Sequence, residues 1–306
     1  MLRIIPENTQ FKFLKYRKIS IIFSLIMMVA SIGLFATKGL NLGIDFAGGI
    51  MFHIKNPVAV EIGEVRTGLS GLNLGSVSVQ EFGTPEEMLV IIEAQGSEPE
   101  NKVAADAAKE VLSSLMPEMT IEREEVVGGQ VSSELVRDGI LAVVFAVGAV
   151  LIYIWFRFEW HFGVGAVMAL VHDVVLTIGF FVLTGLEFNL SIIAAILTIV
   201  GYSLNDTVVV FDRIRENLRK FRKMKLEDLL DLSINNTLSR TLVTSLTTLI
   251  ALVSLFTFGG EVIRGFTAAM IWGVFVGTYS SIFIASPALI YLKLKGTDFT
   301  AEEAGV

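Results

Sequence analysis

Long apolar runs are the feature that most limits what this chain can fold into. Six such runs, in a chain of 306 residues that is 53% hydrophobic, indicate a membrane protein. At about 1.5 Å of rise per residue, each run is long enough to cross a hydrocarbon core of about 30 Å as a helix. The sequence therefore predicts an α-helical polytopic membrane protein with six transmembrane helices at residues 19–36, 137–156, 163–185, 188–211, 240–258 and 265–292. The first helix is expected to remain as an anchor, because Leu34-Phe35-Ala36 lacks the small-x-small pattern of a signal-peptide cleavage site.

Basic residues orient these helices, because Lys and Arg accumulate in cytoplasmic loops. They cluster before the first helix, between the fourth and fifth, and after the sixth, which places all three clusters on one side of the membrane. The predicted cytoplasmic parts are the N-terminus at residues 1–18, a basic loop near residues 212–239 and a C-terminal tail at residues 293–306. The clusters comprise Arg3, Lys12, Lys15, Arg17, Lys18, Arg213, Arg215, Arg219, Lys220, Arg222, Lys223, Lys225, Lys293 and Lys295.

The segment between the fourth and fifth helices has two further predicted features. Its basic residues are expected to contact anionic lipid headgroups. Residues Leu226 to Leu238 are expected to form a separate amphipathic surface helix that leads into the fifth transmembrane helix.

Residues 37–136, between the first and second helices, are predicted to form a periplasmic domain. Residues 37–135 contain 16 Asp and Glu but only 6 Lys and Arg, which argues against nucleic acid binding. Period-two and helical patterns alternate in the order β-α-β-β-α-β, which predicts a ferredoxin-like α+β fold. The predicted elements are strands at residues 50–55, 76–82, 88–94 and 119–127, and helices at 58–69 and 101–115.

This outer domain shows no pattern that indicates catalysis. It contains no nucleophile-base set, no cluster of metal ligands and no phosphate-binding loop, so neither an enzyme activity nor a cofactor is predicted. Two interpretations stay open, a small plug without chemistry and a domain with a mechanical or binding role.

Asn205 and Asp206 lie near the end of the fourth apolar run, where a carboxylate marks a candidate functional site. Placing an ionised Asp at the centre of a membrane helix costs roughly 2.5 to 3.5 kcal/mol on insertion scales. We interpret Asp206 as a proton-binding group. A helical projection places Asn205 and Asp206 on one small and polar face with Ser191, Ala194, Ala195, Thr198 and Tyr202, opposite Ile193, Ile196, Leu197 and Val200.

Arg240 enters the fifth helix from the same side of the membrane as Asp206. One interpretation is a snorkelling arginine at the interface. The other pairs Arg240 with Asp206 in one conformation and separates them in another. Since burial and a nearby positive charge have opposite effects on the proton affinity of a carboxylate, such a motion could load and release a proton.

Helix three contributes His172 and Asp173 at a depth comparable to that of Asp206. The pair could relay protons, or it could only satisfy its own hydrogen bonds with neighbouring helices. Helix six contains a seam of small residues spaced by four, which allows helices to approach closely: Ala269, Gly273, Gly277, Ser281 and Ala285.

Three strings resemble the SecD/SecF family of the resistance-nodulation-division superfamily. They are GIDFAGG at residues 43–49, VVG at 126–128 and GYSLNDTVVVFDRIREN at 201–217. The resemblance extends over essentially the whole chain. It implies a subunit of the bacterial inner membrane that pairs with a SecD subunit and uses the proton-motive force to assist export of preproteins through SecYEG. It also implies that Asp206 and Arg240 take part in proton transport.

Gly43, Gly48 and Gly49 let the backbone turn sharply where helix one meets the outer domain, and Asp45 could cap or hydrogen-bond there. We predict that these four residues form a hinge.

Two other functional classes stay open. A small-molecule or lipid transporter of the same superfamily would normally show two six-helix halves. An intramembrane aspartyl protease could use Asp173 and Asp206 as a dyad that shares one proton, but the chain lacks the Gly-x-Gly-Asp string of such proteases.

Overall fold

The computed structural model describes residues 9–294. Residues 1–8 and 295–306, which include Arg3, Lys295 and most of the predicted C-terminal tail, lie outside the described residues. The helices are α1 Arg17–Lys38, α2 Ile44–Ala47, α3 Ile62–Ser70, α4 Glu98–Leu115, α5 Gly129–Arg157, α6 Trp160–Thr184, α7 Leu190–Lys220, α8 Leu226–Phe258, α9 Arg264–Ser280 and α10 Ser286–Tyr291. The strands are β1 Gly49–Lys55, β2 Val77–Phe82, β3 Thr84–Ile92 and β4 Thr120–Val127.

Six helices in the described part of the chain are long and apolar enough to cross a membrane, which confirms that prediction. Five of them are α1, α5, α6, α7 and α8. The sixth runs from Arg264 to Tyr291, and α9 and α10 are its two ends. The chain divides into two compact units, a helical one and one formed by residues 41–142 with residues 187–190.

The helices extend further than hydropathy alone predicts. α5 begins at Gly129, well before residue 137, and α7 continues to Lys220. Residues 226–238 are helical, as predicted, but they are the first part of the continuous α8 and not a separate surface helix. Residues 226–239 contain no Gly or Pro, so no helix-breaking residue separates this polar segment from the apolar part of α8. The predicted basic loop therefore consists of two helix ends joined by a short turn at residues 221–225.

The sixth spanning helix is irregular between α9 and α10. Residues Ser281–Ala285 form a π-helical turn. Pro287 follows in the first turn of α10 and has no N–H to donate to a preceding carbonyl. Ser286 Oγ donates to the carbonyl oxygen of Ser281 at 2.9 Å. Such π-turns are often found at functional sites.

The second unit contains an antiparallel sheet with strand order β2-β3-β1-β4. Its elements follow the predicted β-α-β-β-α-β order along the chain. One face of β1 presents Ile50, Phe52 and Ile54, all 0% exposed, to a core that includes residues of α3 and α4. Ser97 and Glu100 form a capping box that fixes the start of α4.

α2 packs against part of the other face of the sheet. Ile44, only 2% exposed, packs with Met51 of β1 and Leu89 of β3. The turn that follows α1 in sequence is thereby attached to the sheet.

Candidate functional site

A buried polar cluster joins α6, α7 and α9 inside the helical unit. We call His172, Asp173, Ser203 and Ser280 the polar junction. Asp173 is fully buried, and its Oδ2 accepts hydrogen bonds from Ser203 Oγ at 2.5 Å and from Ser280 Oγ at 2.8 Å. Its Oδ1 lies 2.9 Å from His172 Nδ1. The carboxylate of Asp173 therefore has hydrogen-bond partners on both oxygens and ties three helices together.

His172 connects the polar junction to α1. Its ring stacks on Tyr279 of α9, with ring centroids 5.9 Å apart, while its Nε2 is buried without a hydrogen-bond partner. Tyr279 Oη donates to the carbonyl oxygen of Ser20 at 3.1 Å and lies 3.0 Å from Ser24 Oγ. Four of the six spanning helices are linked in this way.

Small residues allow the close packing of α7 against α9. All five members of the predicted seam on the sixth spanning helix are buried, as its spacing indicates. A Cβ on Gly277 would lie 2.9 Å from Ser203 Cβ. One helical turn further along both helices, Thr207 Oγ1 lies 2.8 Å from Ser281 Oγ, at the start of the π-helical turn.

Asp206 lies on the buried face of α7 between Ser203 and Thr207, and it is only 3% exposed. Its Oδ2 is buried without a hydrogen-bond partner. Most buried polar atoms in proteins have a partner, so an exception calls for an explanation. Asp173 and Asp206 thus lie on neighbouring helices but differ in hydrogen bonding. Both oxygens of Asp173 have partners, whereas one oxygen of Asp206 has none.

Arg240 lies on α8, is exposed, and acts electrostatically on the carboxyl group of Asp206. Among the described residues no ion pair joins these two side chains. The structure therefore places Arg240 within electrostatic range of Asp206 in an unpaired arrangement.

The predicted polar face of α7 is buried within this chain only in part. Asn205 is exposed, as are Ser191, Ala194 and Thr198, whereas Ile196 and Val200 of the predicted opposite face are buried beside Ser203. The buried face combines apolar residues with the polar residues Ser203, Asp206, Thr207 and Asn217. Sequence reasoning missed the roles of Ser203 and Ser280. One sequence feature could have indicated the role of Ser203, which lies about one helical turn before Asp206 and therefore on the same side of α7.

The four predicted hinge residues lie in or next to α2, in the second unit. Gly43 precedes α2, Asp45 lies within it, and Gly48 and Gly49 follow it with φ angles of 71° and 136°. Asp45 Oδ2 accepts a hydrogen bond from the backbone N–H of Leu190 at 2.8 Å. The hinge role stays a prediction.

Comparison with known proteins identifies the family. A model described as the C-terminal part of the protein export membrane proteins SecD/SecF matches residues 107–295, and one for the SecD/SecF GG motif matches residues 33–54. The chain belongs to the SecD/SecF family. The match to the GG-motif model includes Gly48 and Gly49, and the C-terminal match includes the polar junction, Asp206 and Arg240.

Related SecD/SecF proteins are similar over nearly their whole length. A protein translocase subunit SecF of Cereibacter sphaeroides is 44% identical over 95% of this chain and 92% of its own. One of Rhodobacter capsulatus is 43% identical, with 96% and 92% covered. One of Rickettsia rickettsii is 45% identical, with 94% of each chain covered.

The fold also matches solved structures of SecDF. A crystal structure of SecDF, a translocon-associated membrane protein, from Thermus thermophilus has a TM-score of 0.86 and 36% identity. That match covers 95% of this chain and 40% of the SecDF chain. A SecDF structure in a super-membrane-facing form has a TM-score of 0.69 and 35% identity, covering 99% of this chain and 41% of the other. This chain therefore spans about two fifths of SecDF.

Proposed function

We propose that this multi-pass membrane protein is the SecF-type subunit of an accessory complex of the Sec translocase. Together with a SecD-type partner, it would use proton movement across the bacterial inner membrane to assist export of polypeptides through the SecYEG channel. The identities of 43% to 45% with SecF subunits over nearly the full chain support this function. A SecD-type subunit would correspond to the part of SecDF that this chain does not match.

The buried, unpartnered carboxyl oxygen of Asp206 is the observation on which the proton-coupling role rests. In this role Asp206 takes up a proton from one side of the membrane and releases it towards the other. Arg240 stabilises the ionised form when α8 brings its guanidinium group closer, since opposite charges attract strongly in a poorly solvated site. A charge that crosses about 100 mV gains roughly 2.3 kcal/mol, which is enough to shift a conformational equilibrium.

We assign the polar junction to structure and not to proton relay. Asp173 already has acceptor contacts on both oxygens, which keep it in one place. In this assignment His172 and Asp173 hold α6, α7 and α9 together, so that a change at Asp206 moves the three helices as a group. Asn205, which is exposed on α7, has no assigned role in proton binding.

For the second unit we propose a ferredoxin-like domain on the periplasmic side, with both termini in the cytoplasm. The strand order β2-β3-β1-β4 supports the ferredoxin-like fold. The basic C-terminal end of α7 and the basic turn that follows it support a cytoplasmic position for that segment. The domain would contact the emerging polypeptide and move as the membrane part cycles.

The two alternative functions have less support. A protease dyad requires two carboxylates that share a proton, whereas the carboxylate of Asp173 is bonded to His172, Ser203 and Ser280 and not to Asp206. A transporter of small molecules or lipids has no counterpart among the relatives compared above, which are translocase subunits.

The test is polypeptide export into inverted membrane vesicles that contain the complete complex, with and without an imposed proton gradient. Asp206→Asn keeps the side-chain volume and removes the titratable group, so insertion and partner assembly should be unchanged. The gradient-dependent part of export should fall to the level seen without a gradient. Asn205→Ala, at the exposed neighbouring position, is the matched control and should behave as wild type. Normal gradient stimulation in Asp206→Asn would show that the proton-coupling role is wrong.

A further inference from the structure

The start of α7 depends on a residue that lies 145 positions earlier in the chain. The first N–H groups of a helix have no partner within the helix, and an acidic side chain there satisfies one of them and interacts favourably with the helix dipole. α7 has no acidic residue in its own first turn. Asp45 of α2 provides the acidic side chain instead, because its Oδ2 accepts a hydrogen bond from the N–H of Leu190 at 2.8 Å.

Backbone contacts fasten the same two segments to each other. Gly43 N–H donates to the carbonyl oxygen of Phe188 at 3.0 Å, and Phe188 N–H donates to that of Asn41 at 2.7 Å. Leu42 and Phe188 thus form an isolated parallel β-bridge. The ring of Phe46 lies 6.0 Å from that of Phe188. A Cβ at position 43 would lie 3.1 Å from Asn189 Cβ, which is a tight approach between the two segments.

The same turn is anchored to the sheet on its other side. Ile44 is buried between Met51 and Leu89, and Gly49 is the first residue of β1, paired with Val127 of β4. A Cβ at Gly49 would lie 2.4 Å from the carbonyl oxygen of Ile92. Through these contacts α2 is packed against the sheet on one side and hydrogen-bonded to Leu190 on the other.

We infer that Asp45 is a positioning residue that caps α7 from another part of the chain and makes residues 41–49 and 187–190 a clamp. The clamp fixes Leu190, the first residue of α7, to the sheet of the second unit. Asp206 lies 16 residues beyond Leu190 on α7, about 24 Å at 1.5 Å per residue. A displacement of the sheet therefore reaches the helix that carries Asp206 directly, an inference that rests on the proposed function.

Bending falls outside the clamp in this arrangement. Gly39 ends α1 and Gly185 ends α6, and each has a φ of 69°. No heavy atom lies within 4 Å of a Cβ built on either residue. Both glycines lie two residues before the clamp in sequence, and glycine adopts other backbone conformations at little steric cost.

A disulfide across the clamp distinguishes a rigid connection from a hinge. The chain has no cysteine, so Leu42→Cys with Phe188→Cys creates one defined pair, and β-bridge partners are close enough for a disulfide. The oxidised and reduced forms of this double variant should show the same gradient-stimulated export in vesicles. Export that is normal when reduced and lost when oxidised would mean that the two segments must separate during the cycle, which would overturn the clamp.

The capping contact has its own test that does not depend on export. In the complete complex, Asp45→Ala should raise amide hydrogen exchange at Leu190 and the next turn about fivefold, as expected for loss of a helix cap. Asp45→Asn keeps an acceptor oxygen and should restore most of the protection. Asp106→Ala, which removes an exposed carboxylate of α4, should leave this exchange unchanged. Equal exchange in wild type and Asp45→Ala would show that Asp45 does not cap α7.

Export measured on the same variants separates the two proposals. Asp45→Ala should reduce gradient-stimulated export severalfold, and Asp45→Asn should recover most of it. If Asp206→Asn abolishes the stimulation while Asp45→Ala leaves it intact, the positioning role is wrong and the proton-coupling role stands. If Asp206→Asn has no effect, the proton-coupling role is wrong, and the exchange and crosslinking results still decide on the clamp.

Discussion

Ser203 Oγ lies 2.5 Å from Asp173 Oδ2, and this hydrogen bond joins α7 to α6 one helical turn before Asp206. Two carboxylates on adjacent spanning helices are therefore in contrasting environments. That of Asp173 is surrounded by donors, whereas Asp206 has a buried oxygen without a partner. A fully bonded carboxylate is suited to holding helices together, and an unsatisfied one is suited to binding and releasing a proton.

If Asp173 is structural, Asp173→Ala should destabilise the helical unit. The substitution leaves Ser203, Ser280 and His172 without their shared acceptor. Removing one member of a buried polar network typically costs about 2 to 4 kcal/mol. The free energy of unfolding in mixed micelles measures this loss. Asp212→Ala is the control, since Asp212 pairs with Arg157 through half-exposed side chains and should cost less than about 1 kcal/mol. Equal losses in the two variants would argue against the structural role.

The packing of α7 against α9 gives a second prediction. Gly277→Ala adds a Cβ that would lie 2.9 Å from Ser203 Cβ, so the helices must move apart, at a cost of about 1 to 3 kcal/mol. Gly201→Ala is the matched control on α7, because no heavy atom lies within 4 Å of its Cβ position and Ala is the better helix former. Thermal unfolding in detergent should show a lower midpoint for Gly277→Ala and no decrease for Gly201→Ala. A decrease for both would mean that the loss is not due to this contact.

The sequence predicted the architecture well because its signals are strong and local. Twenty or so apolar residues in a row fix a membrane helix, and alternation with turns fixes the order of strands and helices in the second unit. Helix ends were predicted less well. Hydropathy marks where the chain leaves the hydrocarbon, whereas α7 and α8 continue as polar helices up to Lys220 and from Leu226.

The candidate site was predicted in part. Polarity identified Asp206, His172 and Asp173, but a helical projection of α7 could not show which face meets α6 and α9. Ile196 and Val200 are buried on the same face as Ser203, while Asn205 is exposed. The partners of Asp173 come from helices 30 and 107 residues further along the chain. Such contacts depend on tertiary packing, which local patterns do not encode. The cap that Asp45 provides to Leu190 is of the same kind.

Substitutions of Arg240 distinguish a role of this residue in proton coupling from a snorkelling role at the membrane interface. If its charge acts on Asp206 during transport, Arg240→Ala should lower gradient-stimulated export severalfold, because the positive charge that favours the ionised carboxylate is lost. Arg240→Lys keeps the positive charge and should restore part of the stimulation. Lys223→Ala, in the turn before α8, is the control. A change only in the amount of protein in the membrane would favour the snorkelling interpretation.

The raised pKa of Glu187 predicts how the stability of the clamp depends on pH. Burial raises the pKa of this carboxyl, and the nearby Asp45 and Glu125 raise it further, while Arg123 and a hydrogen bond from Asn189 oppose the rise. A carboxyl whose pKa is higher in the folded state binds protons more strongly there, so folding stability is greatest below the ordinary Glu pKa of about 4.3 and falls as pH rises through the raised value.

Protection of the amides of residues 187–190, corrected for the intrinsic exchange rate, should therefore decrease as pH rises above about 4.3. Glu187→Gln cannot ionise and should show a flat profile, with greater protection than wild type at neutral pH. Glu118→Gln, which alters an exposed carboxyl in the turn between α4 and β4, should keep the wild-type profile. If Glu187→Gln retained the pH-dependent decrease, another group would be responsible for it. The desolvated carboxyl beside Asp45 would then have no influence on the clamp.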